Sequence, residues 1–257
     1  MPNNQLSPIQ RYEQALASGD FSEDAQQRQA MQYLEKVYQQ ILDNQAKQKG
    51  LFSFLKRTEP PKGLYMWGGV GRGKTWMMDM FFESLPPQNK MRMHFHHFMQ
   101  RVHAELNALQ GQQDPLQKVA NSIHNEAQTI CFDEFFVSNV SDAMILGDLF
   151  TMLFNKGITL VATSNIAPSG LYKNGIHRDR FLPAIAEVEK HCTVMNIDSG
   201  IDYRLRVLQQ AELYMSPLTK ENMHWLANRF IALSNNQHVS QDPIVVNNRE
   251  IAIKGRT

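Results

Sequence analysis

Apolar residues change their spacing along the chain, and each change marks a different kind of element. From Ser7 to about Asn44 the sequence is rich in glutamine and helical in period. Met31, Leu34, Val37, Tyr38, Ile41 and Leu42 recur three and four residues apart, which makes one apolar stripe on a helix. Ser22, followed by Glu23 and Asp24, is a candidate N-cap with acids in the first turn, where the helix dipole favours negative charge. A stripe of this kind is expected to pack on a core, with a docking surface as the alternative. Pro60-Pro61 then breaks the chain before Gly63.

Beyond that break the period alternates between strand and helix. Short apolar runs at residues 64–67, 91–96, 129–132, 158–163 and 193–197 read as strands. Helical patterns fill 74–84, 98–109, 115–125, 142–154 and 181–189. Strand, crossover helix and strand in repetition predict an α/β fold with a largely parallel sheet flanked by helices. From Asp202 the pattern turns to helices at 205–213 and 221–233, then a polar stretch at 234–241 and strand-like runs at 244–246 and 251–253. The expected organisation is an N-terminal helical arm (1–62), a core (63–201) and a smaller C-terminal unit (202–257).

Between the first strand and its helix stands Gly68-Gly69-Val70-Gly71-Arg72-Gly73-Lys74-Thr75, with Trp76 following. It satisfies G-x-x-x-x-G-K-[ST] at every fixed position, in the strand-to-helix setting that the motif requires. Glycines let successive backbone N–H groups face one phosphate, and the helix start adds its positive end. Lys74 is expected to reach the β- and γ-phosphates of ATP, and the Thr75 hydroxyl to ligate Mg²⁺. Arg72, at a variable position, is expected to face solvent.

Ile130-Cys131-Phe132-Asp133-Glu134 is an apolar strand ending in two acids. Acids at such a tip are costly unless they meet a cation or water. Asp133 is expected to hold the Mg²⁺ shell and Glu134 to orient or deprotonate the attacking water, the alternative being a strand end that is merely acidic. The next strand ends in Thr163-Ser164-Asn165, and Asn165 is the candidate for sensing the γ-phosphate, a turn residue otherwise. Arg178 and Arg180 follow. Arg180 first, then Arg178, is expected to stabilise phosphoryl charge in a neighbouring subunit, with a surface salt bridge or a cis-acting role as alternatives. His94, His96 and His97 lie close together, and His94 and His96 would share a strand face. A zinc reading lacks acidic or cysteine partners, so a structural or nucleotide-coupled role is favoured.

Composition narrows the setting. The 257 residues are 42% hydrophobic and 20% charged, enough apolar content for a buried core. Net charge is +1, and no basic cluster appears, which disfavours nucleic acid as a partner. Cys131 and Cys192 stand apart in apolar stretches and read as buried thiols of a reducing compartment. No apolar run reaches the roughly 18 residues a membrane helix needs. Met1-Pro2-Asn3-Asn4 shows no basic flank leading into an apolar stretch, so a cytoplasmic location is expected.

Longer strings go beyond a generic ATPase. Phe132-Asp133-Glu134-Phe135-Phe136-Val137 with Asp142-Ala143-Met144-Ile145-Leu146 is one, and Val161-Ala162-Thr163-Ser164-Asn165 is another. Residues 171–185, from Leu171 through His177-Arg178-Asp179-Arg180-Phe181 to Ile185, form a third, joined by Met93-His94-Phe95-His96 and Asp202-Tyr203-Arg204. Together these closely resemble the ZapE cell-division ATPases, bacterial relatives of a mitochondrial AAA+-like protein. The resemblance implies a cytoplasmic AAA+-type ATPase, recruited to the division ring, that acts on the FtsZ polymer and remodels its bundles with ATP. Self-association, with ATP as a trigger, also belongs to that expectation. Asn139 stands where an acid is expected and His177 where glutamine is usual. Family chains continue past this one, which suggests that part of a C-terminal lid lies beyond Thr257. Two other classes share the motifs: a helicase-loader-like ATPase acting on single-stranded nucleic acid, and an interaction protein switched by ATP.

Overall fold

The computed structural model describes residues 6–18, 23–48, 59–198, 219–233, 244–246 and 249–251. The chain divides into two compact units, residues 1–203 and 204–257.

The first unit opens with α1 (Pro8–Ala17) and α2 (Ala25–Gln48). Ser7 and Gln10 form a reciprocal capping box ahead of Pro8, satisfying N–H groups that the first helical turn leaves unpaired. The cap of α2 is Asp24, whose Oδ1 accepts from the Gln26 and Gln27 N–H groups at 2.8 and 3.0 Å. The expected cap, Ser22, lies outside the described residues. Met31, Leu34, Val37, Tyr38 and Ile41 are all buried, so the stripe packs on the core. Fully burying each such side chain contributes about 1.5–3 kcal/mol.

The sheet contains β1 (Gly63–Trp67), β2 (Lys90–His94), β3 (Thr129–Asp133), β4 (Thr159–Ser164) and β5 (Cys192–Asn196). All pairings are parallel and the order is β2-β3-β4-β1-β5. Parallel neighbours need crossovers, supplied by α3 (Lys74–Ser84), α4 (Phe95–Ala108), α5 (Pro115–Glu126), α6 (Val140–Asn155) and α7 (Arg178–His191). Side chains alternate across the pleat and feed two cores. Tyr65, Ile130, Phe132, Leu160 and Ala162 face α4–α7, while Leu64, Met66, Cys131 and Val161 face α1–α3. Gly147 of α6 faces α7, where an added Cβ would lie 3.6 Å from Pro183 Cβ and 3.8 Å from Ala184 N, in ordinary van der Waals contact.

Two of the boundaries that differ from the sequence expectation bear on the candidate site. β2 stops at His94 because Phe95, Phe98, Met99 and Val102 follow helical spacing and are buried as one face of α4. His94 and His96 therefore do not share a strand face. Similarly, α7 begins at Arg178, which puts Arg178 and Arg180 in a helical first turn rather than a loop.

In the second unit, α8 (Lys220–Leu233) matches the expected helix, and β6 (Ile244–Val246) pairs antiparallel with β7 (Arg249–Ile251). The helix expected at 205–213, the polar stretch at 234–241 and the Asp202-Tyr203-Arg204 string lie outside the described residues.

Candidate functional site

In the observed order β4 sits between β3 and β1, so the carboxyl ends of all three strands meet along one edge of the sheet. Ligands of open α/β sheets bind at that edge. The loop 68–73 leaves β1 there and turns into α3. Gly71 and Gly73 have φ of 78° and 75°, which a side chain tolerates poorly. Gly73 is the N-cap of α3, and a Cβ there would lie 2.9 Å from Gln27 Nε2.

Lys74 is the first residue of α3 and is buried. Its ammonium lies 2.7 Å from the Gly68 carbonyl, 2.6 Å from that of Gly69 and 3.2 Å from Asn165 Oδ1. Lys74 and Asn165, far apart in sequence, thus meet beside the loop. Thr75 is exposed in the same helical turn, Val70 is half exposed, and Trp76 packs its ring 5.7 Å from Tyr12.

Arg72 departs from expectation. Its side chain is only 14% exposed and lies 2.9 Å, Nε to Oδ1, from Asp198 just beyond β5. Burial of a guanidinium calls for such an opposite charge. The Arg72 carbonyl accepts from Gln27 Nε2 at 3.1 Å, so α2 grips the loop from outside.

At the tip of β3, Asp133 is largely buried and held by Arg92 of β2. Nε donates to Oδ2 at 2.7 Å and Nη2 to Oδ1 at 3.3 Å. The same guanidinium reaches Asp79 Oδ1 of α3 at 2.5 Å through Nη1. Glu134 turns outward in a left-handed conformation, φ 54°, with its side chain 77% exposed and its N–H on Thr163 Oγ1 at 3.2 Å. Phe135 N–H donates to the Thr163 carbonyl at 2.7 Å, and Ser164 Oγ donates to the Phe135 carbonyl at 2.8 Å. These bonds tie the β3 tip to β4 and set where Glu134 points. His94 Nδ1 lies 3.9 Å from Glu134 Oε2, which places this histidine beside the acid.

Asn165 is exposed at the end of β4. Arg178 Nη2 donates to the Ser169 carbonyl at 2.7 Å, whereas Arg180 is exposed on the first turn of α7. Asn139 caps α6 by accepting from Ser141 N–H, and His177 precedes α7 with φ 57°. Among the described residues, no group of three or more His, Cys, Asp or Glu is placed to hold a metal. A magnesium ion needs less: hard oxygens from Thr75 and Asp133 with substrate phosphates are the donor set it prefers, and the glycine cradle suits phosphate. Sequence reasoning missed Gln27, Asp79, Arg92, Thr163 and Asp198. The one available signal was the alternation of Lys90, Arg92 and His94 along β2.

Comparison with known proteins agrees with this architecture. The replication initiator DnaA of Aquifex aeolicus bound to AMPPCP superposes with a TM-score of 0.50 at 14% identity, over 84% of this chain and 64% of that one. A replication initiator DnaA bound to AMPPCP and single-stranded DNA gives 0.51 at 14%, over 85% and 62%. At such identity these show the fold alone, a parallel sheet flanked by helices. Among sequences, the cell division protein ZapE of Escherichia coli (strain K12) is 47% identical over 262 residues, spanning 97% of this chain and 70% of the relative. No described helix is long and apolar enough to cross a membrane. The AFG1-like ATPase family model matches residues 6–257, and the chain therefore belongs to that family of P-loop ATP hydrolases.

Proposed function

We propose that this chain is a magnesium-dependent ATPase of cell division that remodels FtsZ polymers in the cytoplasm, at the division site. The meeting of Lys74, Asn165 and the Asp133-Glu134 tip along one sheet edge carries the catalytic part. The 47% identity to a cell division protein over nearly all of the chain carries the biological part.

In this reading Gly68, Gly69, Val70, Gly71, Arg72, Gly73, Lys74, Thr75 and Trp76 form the nucleotide loop. Lys74 binds the β- and γ-phosphates, leaving the Gly68 and Gly69 carbonyls for them. Bound Mg²⁺ neutralises phosphate charge, with Thr75 and Asp133 as the protein groups that hold it. Glu134, exposed at the β3 tip, orients water for in-line attack, and Asn165 contacts the γ-phosphate. Arg180, exposed on the first turn of α7, reaches a neighbouring subunit, while Arg178 is engaged by the Ser169 carbonyl. Residues 63–201 act as the core, 1–62 as an arm and 202–257 as a lid.

The test is ATP hydrolysis by the parent and Glu134→Gln, alongside sedimentation of FtsZ bundles. Glu134→Gln retains ATP but loses turnover by about 10²-fold or more. The parent reduces bundle mass only with ATP, and the variant does not. Unchanged hydrolysis in the variant overturns the role of Glu134. Bundles indifferent to an active parent overturn the FtsZ assignment.

A further inference from the structure

We infer that Arg92 is the positioning residue of the magnesium shell, locking Asp133 of β3 to the helix that carries Thr75. The inference rests on the reading of Asp133 and Thr75 as the groups that hold Mg²⁺.

Three features of the geometry carry it. First, β2 and β3 are in register with His94 opposite Asp133 and Arg92 opposite Cys131. The guanidinium therefore reaches diagonally along the sheet edge to its acid. Second, it engages both Asp133 oxygens through one planar fork, at 2.7 and 3.3 Å, which sets carboxylate rotation as well as position. Third, the remaining Nη1 reaches Asp79 at 2.5 Å. Asp79 is one helical turn beyond Thr75 on α3, so the two share a face. A single side chain thus joins the strand bearing one proposed metal group to the helix bearing the other, and holds the span between them.

The charges are compatible with a cation site. One guanidinium between two carboxylates leaves the cluster net negative, and arginine keeps its charge at any working pH. Lysine lacks the fork and meets one oxygen at a time as a point charge. The competing view is that Arg92 merely neutralises Asp133, whose side chain is 10% exposed. That view predicts a loss of stability without a specific loss of metal affinity.

Manganese separates the two, because Mn²⁺ bound with a non-hydrolysable ATP analogue is read directly by electron paramagnetic resonance. The intact chain is compared with Arg92→Ala, Arg92→Lys, Asp79→Asn and Asp133→Asn, and analogue binding is also measured without metal. Outer partners of metal-binding carboxylates set affinity by about 10–100-fold, so Arg92→Ala raises the Mn²⁺ half-saturation by about 10-fold or more. Arg92→Lys falls between parent and alanine, Asp79→Asn shifts by about 3-fold, and metal-free analogue affinity stays within about 2-fold throughout. Superimposable Mn²⁺ titrations for a folded Arg92→Ala overturn the inference. So does an equal loss of analogue affinity with and without metal. If Arg92→Ala does not fold, unchanged half-saturation in both Arg92→Lys and Asp79→Asn overturns it in the same way. Asp133→Asn tests the underlying reading: parent-like Mn²⁺ binding there removes both claims. A defect in Asp133→Asn with normal Arg92 variants removes only this one.

Discussion

Replacing Gly73 by alanine tests how the glycine-rich loop 68–73 is held, because two separate costs meet at that position. The first is conformational: φ is 75°, in the left-handed region, where a Cβ crowds the carbonyl at about 1–2 kcal/mol. The second is steric. The new Cβ would sit 2.9 Å from Gln27 Nε2 and 3.6 Å from Gln27 Cδ, so Gln27 must move. Gln27 is 4% exposed and donates to the Arg72 carbonyl at 3.1 Å. Losing that bond in a buried setting costs about 1–3 kcal/mol. Together the terms come to about 2–5 kcal/mol, or a fall in Tm on the order of 4–20 °C for a domain of this size. Calorimetry without nucleotide measures it, and a double-mutant cycle separates the terms. In a Gln27→Ala background the collision is gone, so Gly73→Ala there costs only the conformational part, about 1–2 kcal/mol. An equal cost in both backgrounds would refute the collision, and a cost below about 0.5 kcal/mol would refute the left-handed geometry itself.

Two further outcomes follow from burial. Leu34 is fully buried in α2, so Leu34→Ala should cost about 2–5 kcal/mol in urea unfolding; a cost below about 1 would mean that α2 does not pack on the core. Burial pushes the Cys131 and Cys192 thiols from near 9 up to about 12. The folded state therefore keeps protons that the unfolded chain has released, so this contribution is complete below about pH 9 and is lost as pH rises toward 12. Urea midpoints for the parent and Cys192→Ala across that range check the sign: the parent should lose more stability on the alkaline side, and parallel curves would contradict it.

Most of the candidate site was legible because its parts are local. Gly68 to Thr75 is one continuous string whose glycines and lysine have meaning at fixed offsets, and Asp133-Glu134 ends a strand visible from its apolar run. The helices of the core were likewise readable from period, with α3 placed at its observed bounds. Errors fell where a boundary depended on packing. The run at 91–96 is apolar enough for a strand, yet Phe95 turns into α4 because its ring meets Phe132 and Phe135 there. Arg72 looked like a solvent-facing residue because nothing nearby in sequence announces Asp198.

By itself, then, the sequence determined the alternation of strand and helix, the glycine-rich loop proposed to bind phosphate, and the acids at the β3 tip, since each depends on residues a few positions apart. Tertiary structure alone decided that β4 enters between β3 and β1, which brings Asn165 to Lys74 across 91 positions. It also decided that Arg92 clasps Asp133 across 41 positions and that Gln27 grips Arg72 across 45. Contacts at such separations leave no periodic trace, because they arise from how the elements pack rather than from the spacing within any of them.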